Sequence, residues 1–387
     1  MKIAYLGKIQ LSDVDLSYVH EAQKKADVHY FLEVNPRFMK GPAVSVDKLY
    51  PKSGVFKAAE AYPELRRYAG YVDLDKCHVV NTTGRLWFLK AFWVNLLLLA
   101  FLVRGRFDVI HAVWPYNVYE FALYLLRRRT MLTVHDPFPH TELDTPIVKL
   151  RRMFAFRLIP KLVLLNSVQR DAFVRRYGLP DGRVAVSRLG CYTCLRPLAE
   201  EANDGGAGGD YILFAGKISK YKGLRYLLPA MLEVHKAFPS VKLVVAGGGA
   251  FDFDVSPYKA LPYIDIRNRF IPDGEMATLL ARCRFVVCPY TEATQSGVVM
   301  SAFAFARPVI ATNVGGLPEM VRDGEFGLVV NGSDKDALSA AIMRLLGDQK
   351  MLSHLSLNIS EAYGHGRMSW EEIAAQLGKE YENMMKK

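Results

Sequence analysis

The sequence predicts an α/β protein of two domains, each built on a mostly parallel sheet covered by helices. Short apolar segments rich in β-branched residues alternate with helical segments along the chain, which is typical of parallel sheets buried on both faces. The 387 residues suit two domains of roughly 150 residues each. Residues 197–210 are acidic and glycine-rich, a composition typical of a flexible interdomain linker.

These observations place a first domain at residues 1–196, a linker at 197–210 and a second domain at 211–368. In the first domain, strands are predicted at residues 2–7, 28–34, 107–114, 130–136 and 161–167, and helices at 18–26, 116–129 and 168–178. In the second, strands are predicted at 211–216, 241–247, 266–271, 284–290 and 309–312, and helices at 223–238, 274–283, 297–306 and 335–348, before a last helix at 369–387. Because ligands bind at the carboxyl ends of parallel strands, we expect a cleft between two such edges.

Composition excludes a disordered chain and favours an anionic partner. Hydrophobic residues make up 51% of the sequence, enough for sizeable cores. The formal net charge is +11, from 50 lysines and arginines against 39 aspartates and glutamates. This excess suits a nucleotide, a nucleic acid or an acidic membrane surface without choosing among them. The five cysteines are scattered without a disulfide framework, which favours a reducing compartment, the cytoplasm.

Two segments bear on membrane contact, while the amino terminus is predicted to be a strand rather than a signal peptide. Residues 91–103 are the most apolar stretch but are shorter than the ~20 residues that cross a bilayer, so they are expected to be core or to face lipid. Basic residues are grouped at 127–129 and interleaved with apolar ones at 147–163. Such a surface suits peripheral contact with anionic lipid on the inner face of the cell membrane. A solvated face over a buried stripe is the alternative.

Two loops in the second half are suited to bind an anion. In FAGKISKYKG a strand ends at Gly216, and Lys217 and Lys222 precede the next helix. Ammonium groups beside a helix amino terminus favour phosphate, although a solvated basic loop is the alternative. After ATQSG a second helix begins with its own backbone N–H groups, unless it is simply a buried helix. The glycines of VVAGGGA end another strand, where the backbone can approach a ligand closely.

Histidines lie near the ends of two predicted strands of the first half. His135 comes directly after one strand, and His111 lies within another, close to Trp114. Imidazole at such an edge can donate to a hydroxyl or to a developing charge, although a lone histidine is more often structural. His135, Asp136 and His140 have the side chains of metal ligands, but nothing in the sequence completes a coordination sphere. No two carboxylates are paired by spacing, so a two-carboxylate hydrolase is not indicated.

Taken together, these motifs resemble glycosyltransferase family 4, the retaining enzymes of the GT-B fold. The resemblance is best from Tyr211 to Asp348, where FAGKISKYKG, VVAGGGA and RPVIATNVGGLPEMVRDGEFGLVV occur in the family's order. It implies two Rossmann-like domains, with Lys217 and Lys222 at the family's two cationic positions. It also places His135 where the family often has a histidine facing the donor sugar, and it implies that the last helix crosses back onto the first domain.

One feature departs from the family's usual pattern of two glutamates with seven residues between them. The corresponding positions are Ala293 and Ser301, and Glu292 lies one residue out of register. In the family the second glutamate normally holds the ribose hydroxyls, and here Ser301 stands in its place. We expect the TQSGV segment to replace the usual loop, with Gln295 and Ser296 meeting the sugar or the phosphate.

The resemblance implies a retaining hexosyltransferase that moves a sugar from a UDP- or GDP-sugar to a sugar or lipid-linked hydroxyl acceptor, in polysaccharide or glycolipid biosynthesis. Neither a metal ion nor another cofactor is required, and nucleic acid is not expected as a partner because no aromatic and basic recognition segment accompanies the charge. The alternatives are a non-catalytic nucleotide-sugar-binding protein and a UDP-sugar epimerase of the same fold. The catalytic candidates are His135, Lys217 and Lys222. The donor-binding candidates are Gly216, Gly247, Gly248, Glu292, Thr294, Gln295, Ser296, Gly297, Val298 and Ser301, and the acceptor-side candidates are Gly7, His111, Trp114 and Asp136.

Overall fold

The chain forms two compact α/β units, seen in a computed structural model. The structure describes residues 1–84, 87–114, 120–135, 137–138, 146–165, 167, 169–201, 209–293 and 295–386. Unit 1 comprises Met1–Gly190 and Trp370–Lys387, and unit 2 comprises Cys191–Ser369. The predicted α/β class is confirmed, because each unit has a parallel sheet with helices between its strands.

The described part of unit 1 contains an eight-stranded sheet in the order β3-β4-β2-β1-β5-β6-β7-β8. The strands are β1 Lys2–Lys8, β2 Asp27–Val34, β3 Gly54–Lys57, β4 Cys77–Asn81, β5 Val109–Ala112, β6 Thr130–Val134, β7 Lys161–Leu164 and β8 Val184–Val186. All pair in parallel except β3, which is antiparallel to β4. The sequence did not predict β3, β4 or β8. Strand order reverses between β1 and β5, and such a switch point leaves a crevice at the carboxyl ends of the strands.

The main core of unit 1 lies between this sheet and its helices. The helices are α1 Ser12–Gln23, α2 Ala58–Ala61, α3 Trp87–Arg104, α4 Glu120–Leu125, α5 Pro146–Leu158 and α6 Arg170–Tyr177. Val94, Leu98 and Leu102 of α3 are buried in the core, and their four-residue spacing places them on one face of the helix. Among the described residues, no helix combines the length and apolarity needed to cross a bilayer.

The helix Trp370–Met385, called the C-terminal helix below, belongs to unit 1. A buried chain of hydrogen bonds fixes it there. The Tyr381 hydroxyl lies 2.6 Å from the Tyr18 hydroxyl and 2.6 Å from His111 Nδ1. The other ring nitrogen of His111 lies 2.7 Å from Thr133 Oγ1. The helix is therefore tied to α1, β5 and β6 by polar groups that have left water and need these partners.

The described part of unit 2 contains a six-stranded parallel sheet in the order β11-β10-β9-β12-β13-β14. Its strands are β9 Tyr211–Ala215, β10 Lys242–Ala246, β11 Ile264–Arg267, β12 Val286–Cys288, β13 Val309–Thr312 and β14 Gly327–Val330. This is the doubly wound order, and its switch point lies between β9 and β12. The sequence did not predict β14, and it placed β11 at 266–271, a few residues late.

The predicted linker is wrong over its first residues, because Arg196–Glu201 forms helix α7 of unit 2. The side chain of Arg196 donates from Nε to the carbonyl oxygen of Ala304, 2.6 Å away. The chain passes from unit 1 to unit 2 at Gly190–Cys191, and residues 202–208 lie outside the described ones. The other helices of unit 2 are α8 Leu224–Ala237, α9 Ser256–Lys259, α10 Asp273–Arg282, α11 Gly297–Ala304, α12 Leu317–Val321, α13 Lys335–Gly347 and α14 Gln349–Gly364, of which α9, α12 and α14 were not predicted.

Candidate functional site

Glycines at the ends of β9 and β10 bring two backbone segments of unit 2 into contact. The N–H of Gly216 donates to the Ala246 carbonyl over 3.0 Å, and both Gly216 and Gly247 have positive φ angles, 107° and 152°. A Cβ atom on Gly247 would lie 1.9 Å from the Gly216 carbonyl oxygen. At Gly247 both the conformation and the space require glycine, and at Gly216 the positive φ favours it. The neighbouring Gly248 accepts a hydrogen bond from Ile218 N at 3.0 Å.

Lys222 is held beside the end of β12. It closes a short 3₁₀ turn followed by Gly223 at φ 71°, and a Cβ atom on Gly223 would lie 1.7 Å from the Pro289 carbonyl oxygen. The Lys222 Nζ atom lies 3.6 Å from the centroid of the Tyr290 ring. Burial lowers the pKa of Lys222. The ring face stabilises the ammonium group and holds it at the strand edge.

Helix α11 begins at the same place. Its N-cap residue Ser296 is buried, and the Ser296 hydroxyl lies 3.4 Å from the Tyr290 hydroxyl. A Cβ atom on Gly216 would lie 3.3 Å from Cγ2 of Val298 in the first turn of α11. The first-turn N–H groups of a helix lack intrahelical partners and carry partial positive charge. Lys222 and the start of α11 therefore border one ring, Tyr290, at the switch point of unit 2.

Most of the remaining donor-side candidates of unit 2 are exposed. Lys217, Glu292, Gln295 and Gly297 are exposed, and Thr294 lies outside the described residues. The Ser301 hydroxyl donates to the Gly297 carbonyl within α11 over 2.9 Å. Its proton is therefore used inside the helix, and the oxygen retains only acceptor capacity for a ligand.

Lys8, which the sequence analysis missed, lies at the switch point of unit 1. Its ammonium group is 4.8 Å from the centroid of the Trp114 ring and 5.6 Å from that of Phe38. Burial lowers the pKa of Lys8 to about 8, an effect partly offset by Glu33. The sequence signal that could have found it is a lysine at the end of a buried strand. Burying a charge there is unfavourable, which makes the position a candidate for function.

His135 follows β6 on the same edge. Its ring centroid lies 6.4 Å from that of Trp114. The Nε2 atom is enclosed and has no hydrogen-bond partner among the described residues, and burial lowers the pKa of His135 to about 4. A neutral imidazole with one enclosed nitrogen unused has capacity for a ligand hydroxyl, because leaving it unpaired is unfavourable. Asp136 and His140 lie outside the described residues, and within the described ranges no three His, Cys, Asp or Glu side chains cluster as metal ligands do.

Two acceptor-side candidates have structural roles instead. His111 is buried, and both of its ring nitrogens are engaged, by Tyr381 and Thr133. Burial lowers the pKa of His111 to about 3, so it is a neutral part of the core. At Gly7 a Cβ atom would lie 2.0 Å from the buried carboxylate of Asp15. Gly7 thus makes room for that carboxylate, whose pKa is raised by burial.

Comparisons with known proteins agree with this architecture. The family model described as Glycosyltransferase Family 4 matches residues 53–191, and the one described as Glycosyl transferases group 1 matches residues 209–348. A D-inositol 3-phosphate glycosyltransferase of Corynebacterium efficiens is 28% identical over 273 residues, covering 65% of this chain and 63% of that protein. The putative glycosyltransferase YtcC of Bacillus subtilis is 29% identical over 264 residues, covering 65% and 58%. The chain thus aligns with less than two thirds of the length of these relatives.

Among solved structures, Anabaena Alr3699/HepE in complex with UDP superposes with a TM-score of 0.67 at 17% identity, covering 99% of this chain and 100% of that one. This likeness and the two doubly wound sheets define the class of protein, which is the GT-B fold. The two family models, which together run through both units, then decide the family. The chain belongs to the glycosyltransferase family 4-like proteins of the GT-B fold.

Proposed function

We propose that the protein transfers a hexosyl group from a UDP- or GDP-sugar to a hydroxyl acceptor, with retention of configuration at the anomeric carbon. The observation that carries the proposal is the convergence of Lys222 and the first turn of α11 on Tyr290. Cations and helix amino termini at a strand edge are the groups that bind a diphosphate. The relation to family 4 and the UDP held by HepE support the donor class.

In the proposed reaction the bond between the anomeric carbon and the diphosphate oxygen breaks, and a bond to the acceptor oxygen forms on the same face. Negative charge grows on the leaving diphosphate. Lys217, Lys222 and the first-turn N–H groups of α11 stabilise that charge. Glu292, Gln295, Ser296 and Ser301 contact the sugar, the ribose or the phosphates. No metal ion or other cofactor takes part, because these groups supply the positive charge.

Unit 1 supplies the groups that meet the sugars. His135, neutral at pH 7 because burial lowers its pKa to about 4, hydrogen-bonds a hydroxyl of the donor sugar through Nε2. Trp114 offers an apolar ring face to the acceptor, and Lys8 beside it carries the charge that a phosphate-bearing acceptor needs. The acceptor is a sugar or a lipid-linked sugar of polysaccharide or glycolipid biosynthesis, used at the inner face of the cell membrane.

The test is a thermal-shift series with UDP, GDP, ADP and their sugars, followed by product analysis. A ligand at about 100 times its dissociation constant stabilises a protein by about 2.7 kcal/mol, so one base is expected to raise the melting temperature clearly. The anomeric configuration of the product is then read by NMR. Indifference to every nucleoside diphosphate at millimolar concentration overturns the proposal. Binding without turnover would instead support a non-catalytic protein, and an altered sugar released without acceptor would support an epimerase.

A further inference from the structure

Large exposed apolar side chains are concentrated on three helices of unit 1. Trp93 is 67% exposed and Ile147 is 66% exposed, whereas side chains this large and apolar are usually mostly buried. The set comprises Leu89, Phe92, Trp93, Leu97 and Val103 of α3, Phe121 and Leu125 of α4, and Ile147, Leu150, Phe154 and Leu158 of α5. We call this set the apolar face.

The three helices form one continuous surface. The rings of Phe92 on α3 and Phe121 on α4 lie 6.3 Å apart between centroids. The Arg151 guanidinium on α5 donates from Nε to the Glu120 carboxylate on α4 over 3.1 Å. Contacts of this kind join α3 to α4 and α4 to α5, so the exposed apolar side chains are neighbours rather than scattered single residues.

Core packing does not account for the apolar face. Helix α3 already buries Val94, Leu98 and Leu102 against the sheet, which satisfies the need for one apolar stripe. Trp93 and Leu97 lie on a different side of the helix, and both are exposed. A second apolar stripe on a helix whose first stripe is buried indicates a partner that is not part of this unit.

Most charged side chains on and beside the described parts of the three helices are cations. Exposed cations on and beside the three helices are Lys90, Arg104, Arg127, Arg128, Arg129, Lys149, Arg151 and Arg157. Helices α3 and α5 contain no aspartate or glutamate, and in α4 Glu120 is paired with Arg151. Apolar side chains surrounded by cations are typical of helices that lie in the headgroup region of an anionic bilayer.

One end of the apolar face opens into a cavity of about 1080 Å³, which is lined by both arginines and apolar side chains. Arg127, Arg128 and Arg129 line it together with Val103 and Leu125. The single carboxylate in its lining, Asp108, accepts a hydrogen bond from the backbone N–H of Lys2 at 2.7 Å. Guanidinium groups bordering apolar side chains match a phosphate headgroup that carries acyl chains.

We propose that the apolar face docks unit 1 on an anionic lipid bilayer, with the side chains of Trp93 and Leu97 in the interface and the arginines at the headgroups. This proposal rests on the proposed function, and it assigns the membrane contact to one surface of unit 1. A second copy of this chain is a poorer occupant, because two such faces would bring their cations together.

The test is sedimentation of the full chain with vesicles of phosphatidylcholine alone and of phosphatidylcholine with phosphatidylglycerol. Binding is expected only to the anionic vesicles. Changing Trp93→Ser with Leu97→Ser lowers the partition coefficient about tenfold or more, because two interfacial side chains lose their apolar area. Changing Arg104→Gln with Arg157→Gln lowers it about 25-fold, at roughly fivefold for each charge, and less at high salt.

Matched controls lie in unit 2. Phe270→Ser with Leu357→Ser removes apolar side chains that are each 55% exposed, and Lys335→Gln with Lys350→Gln removes two exposed charges. Both control variants should bind vesicles as the wild type does.

Trp93→Phe should keep binding but lose the shift of tryptophan emission to shorter wavelength that vesicles cause. The proposal is overturned by equal binding to both vesicle types or by no binding. A dimer in sedimentation velocity that Trp93→Ser with Leu97→Ser dissociates would also overturn it. Nucleotide thermal shifts on the same variants test the proposed function separately.

Discussion

The two sheet edges of this protein share an architecture and differ in chemistry. At the switch point of unit 2, the edge consists of glycine backbone, a helix start and a lysine over the ring of Tyr290. At the switch point of unit 1, it consists of the side chains of Lys8, Trp114 and His135. In the proposed reaction, the first arrangement binds the charged diphosphate through backbone groups that most side chains would block. The second binds hydroxyls and ring faces, so the same fold would support both tasks.

The largest expected effect is the loss of the charge at Lys222. Changing Lys222→Met keeps an apolar chain against Tyr290 and removes the ammonium group. We expect kcat/KM for sugar transfer to fall by about 2–4 kcal/mol in transition-state stabilisation, roughly 30- to 900-fold, as when one charge-stabilising donor is removed. The control is Lys220→Met, in the same turn but exposed. Wild-type turnover by the Lys222 variant would contradict the role given to the edge of unit 2.

The hydrogen bonds of Tyr381 are expected to carry the next largest effect, on stability rather than turnover. Changing Tyr381→Phe leaves the Tyr18 hydroxyl and His111 Nδ1 without a shared partner. The free energy of unfolding of unit 1 should fall by about 2 kcal/mol. All four tryptophans lie in unit 1, so urea unfolding followed by tryptophan emission reports on that unit. An unchanged midpoint would show that the buried chain of hydrogen bonds is not what fixes the C-terminal helix.

A change at His135 tests whether the two edges have separate roles. Changing His135→Phe keeps a ring and removes Nε2, so one hydrogen bond to a sugar hydroxyl is lost. We expect turnover to fall about tenfold, since a single hydrogen bond contributes about 1–1.5 kcal/mol. The dissociation constant of the nucleoside diphosphate should not change, because unit 2 binds it. A large change in nucleotide affinity would break the division of tasks between the edges.

The smallest expected effect per residue is a pH dependence of the stability of unit 1. Burial lowers the pKa of His111 to about 3 and that of His135 to about 4, whereas an unfolded histidine titrates near 6.5. The unfolded chain therefore binds more protons between pH 6.5 and 4, and stability falls as pH falls through this window. From pH 7 to 5.5 the expected loss is about 1 kcal/mol for each imidazole. Tryptophan-detected unfolding of wild type and His111→Gln measures it, with the exposed His354→Gln as control. An identical pH slope in His111→Gln and wild type would contradict the assignment.

The loops of unit 2 were predictable because their signals are local. Gly216, Lys217 and Lys222 occur within a few residues after a strand, so the motif and its place at the edge could both be inferred from one short segment. The edge of unit 1 was only partly predictable. Lys8, Trp114 and His135 come from three strands far apart in sequence, and only the sheet order brings them together.

The two histidines of unit 1 show where sequence reasoning stops. His111 lies within β5 and His135 directly follows β6, on strands that end on the same edge, and neither position by itself shows whether the ring is engaged. The difference is made by Tyr381, 270 residues beyond His111, which engages one ring and leaves the other available. The boundary between the units was misplaced for a related reason, since residues 197–201 resemble a linker in composition but belong to helix α7 of unit 2, which Arg196 ties to Ala304.

The return of the C-terminal helix to unit 1 means that the first half of the chain needs the last residues of the sequence to complete its core. Unit 2 is one uninterrupted segment, Cys191–Ser369, and every strand of its sheet is translated before Tyr381. Until then His111 and Tyr18 lack the partner that closes the core around them. The half that is translated first is therefore completed last, and a chain truncated after Ser369 would contain every residue of unit 2 but lack the helix that closes the core of unit 1.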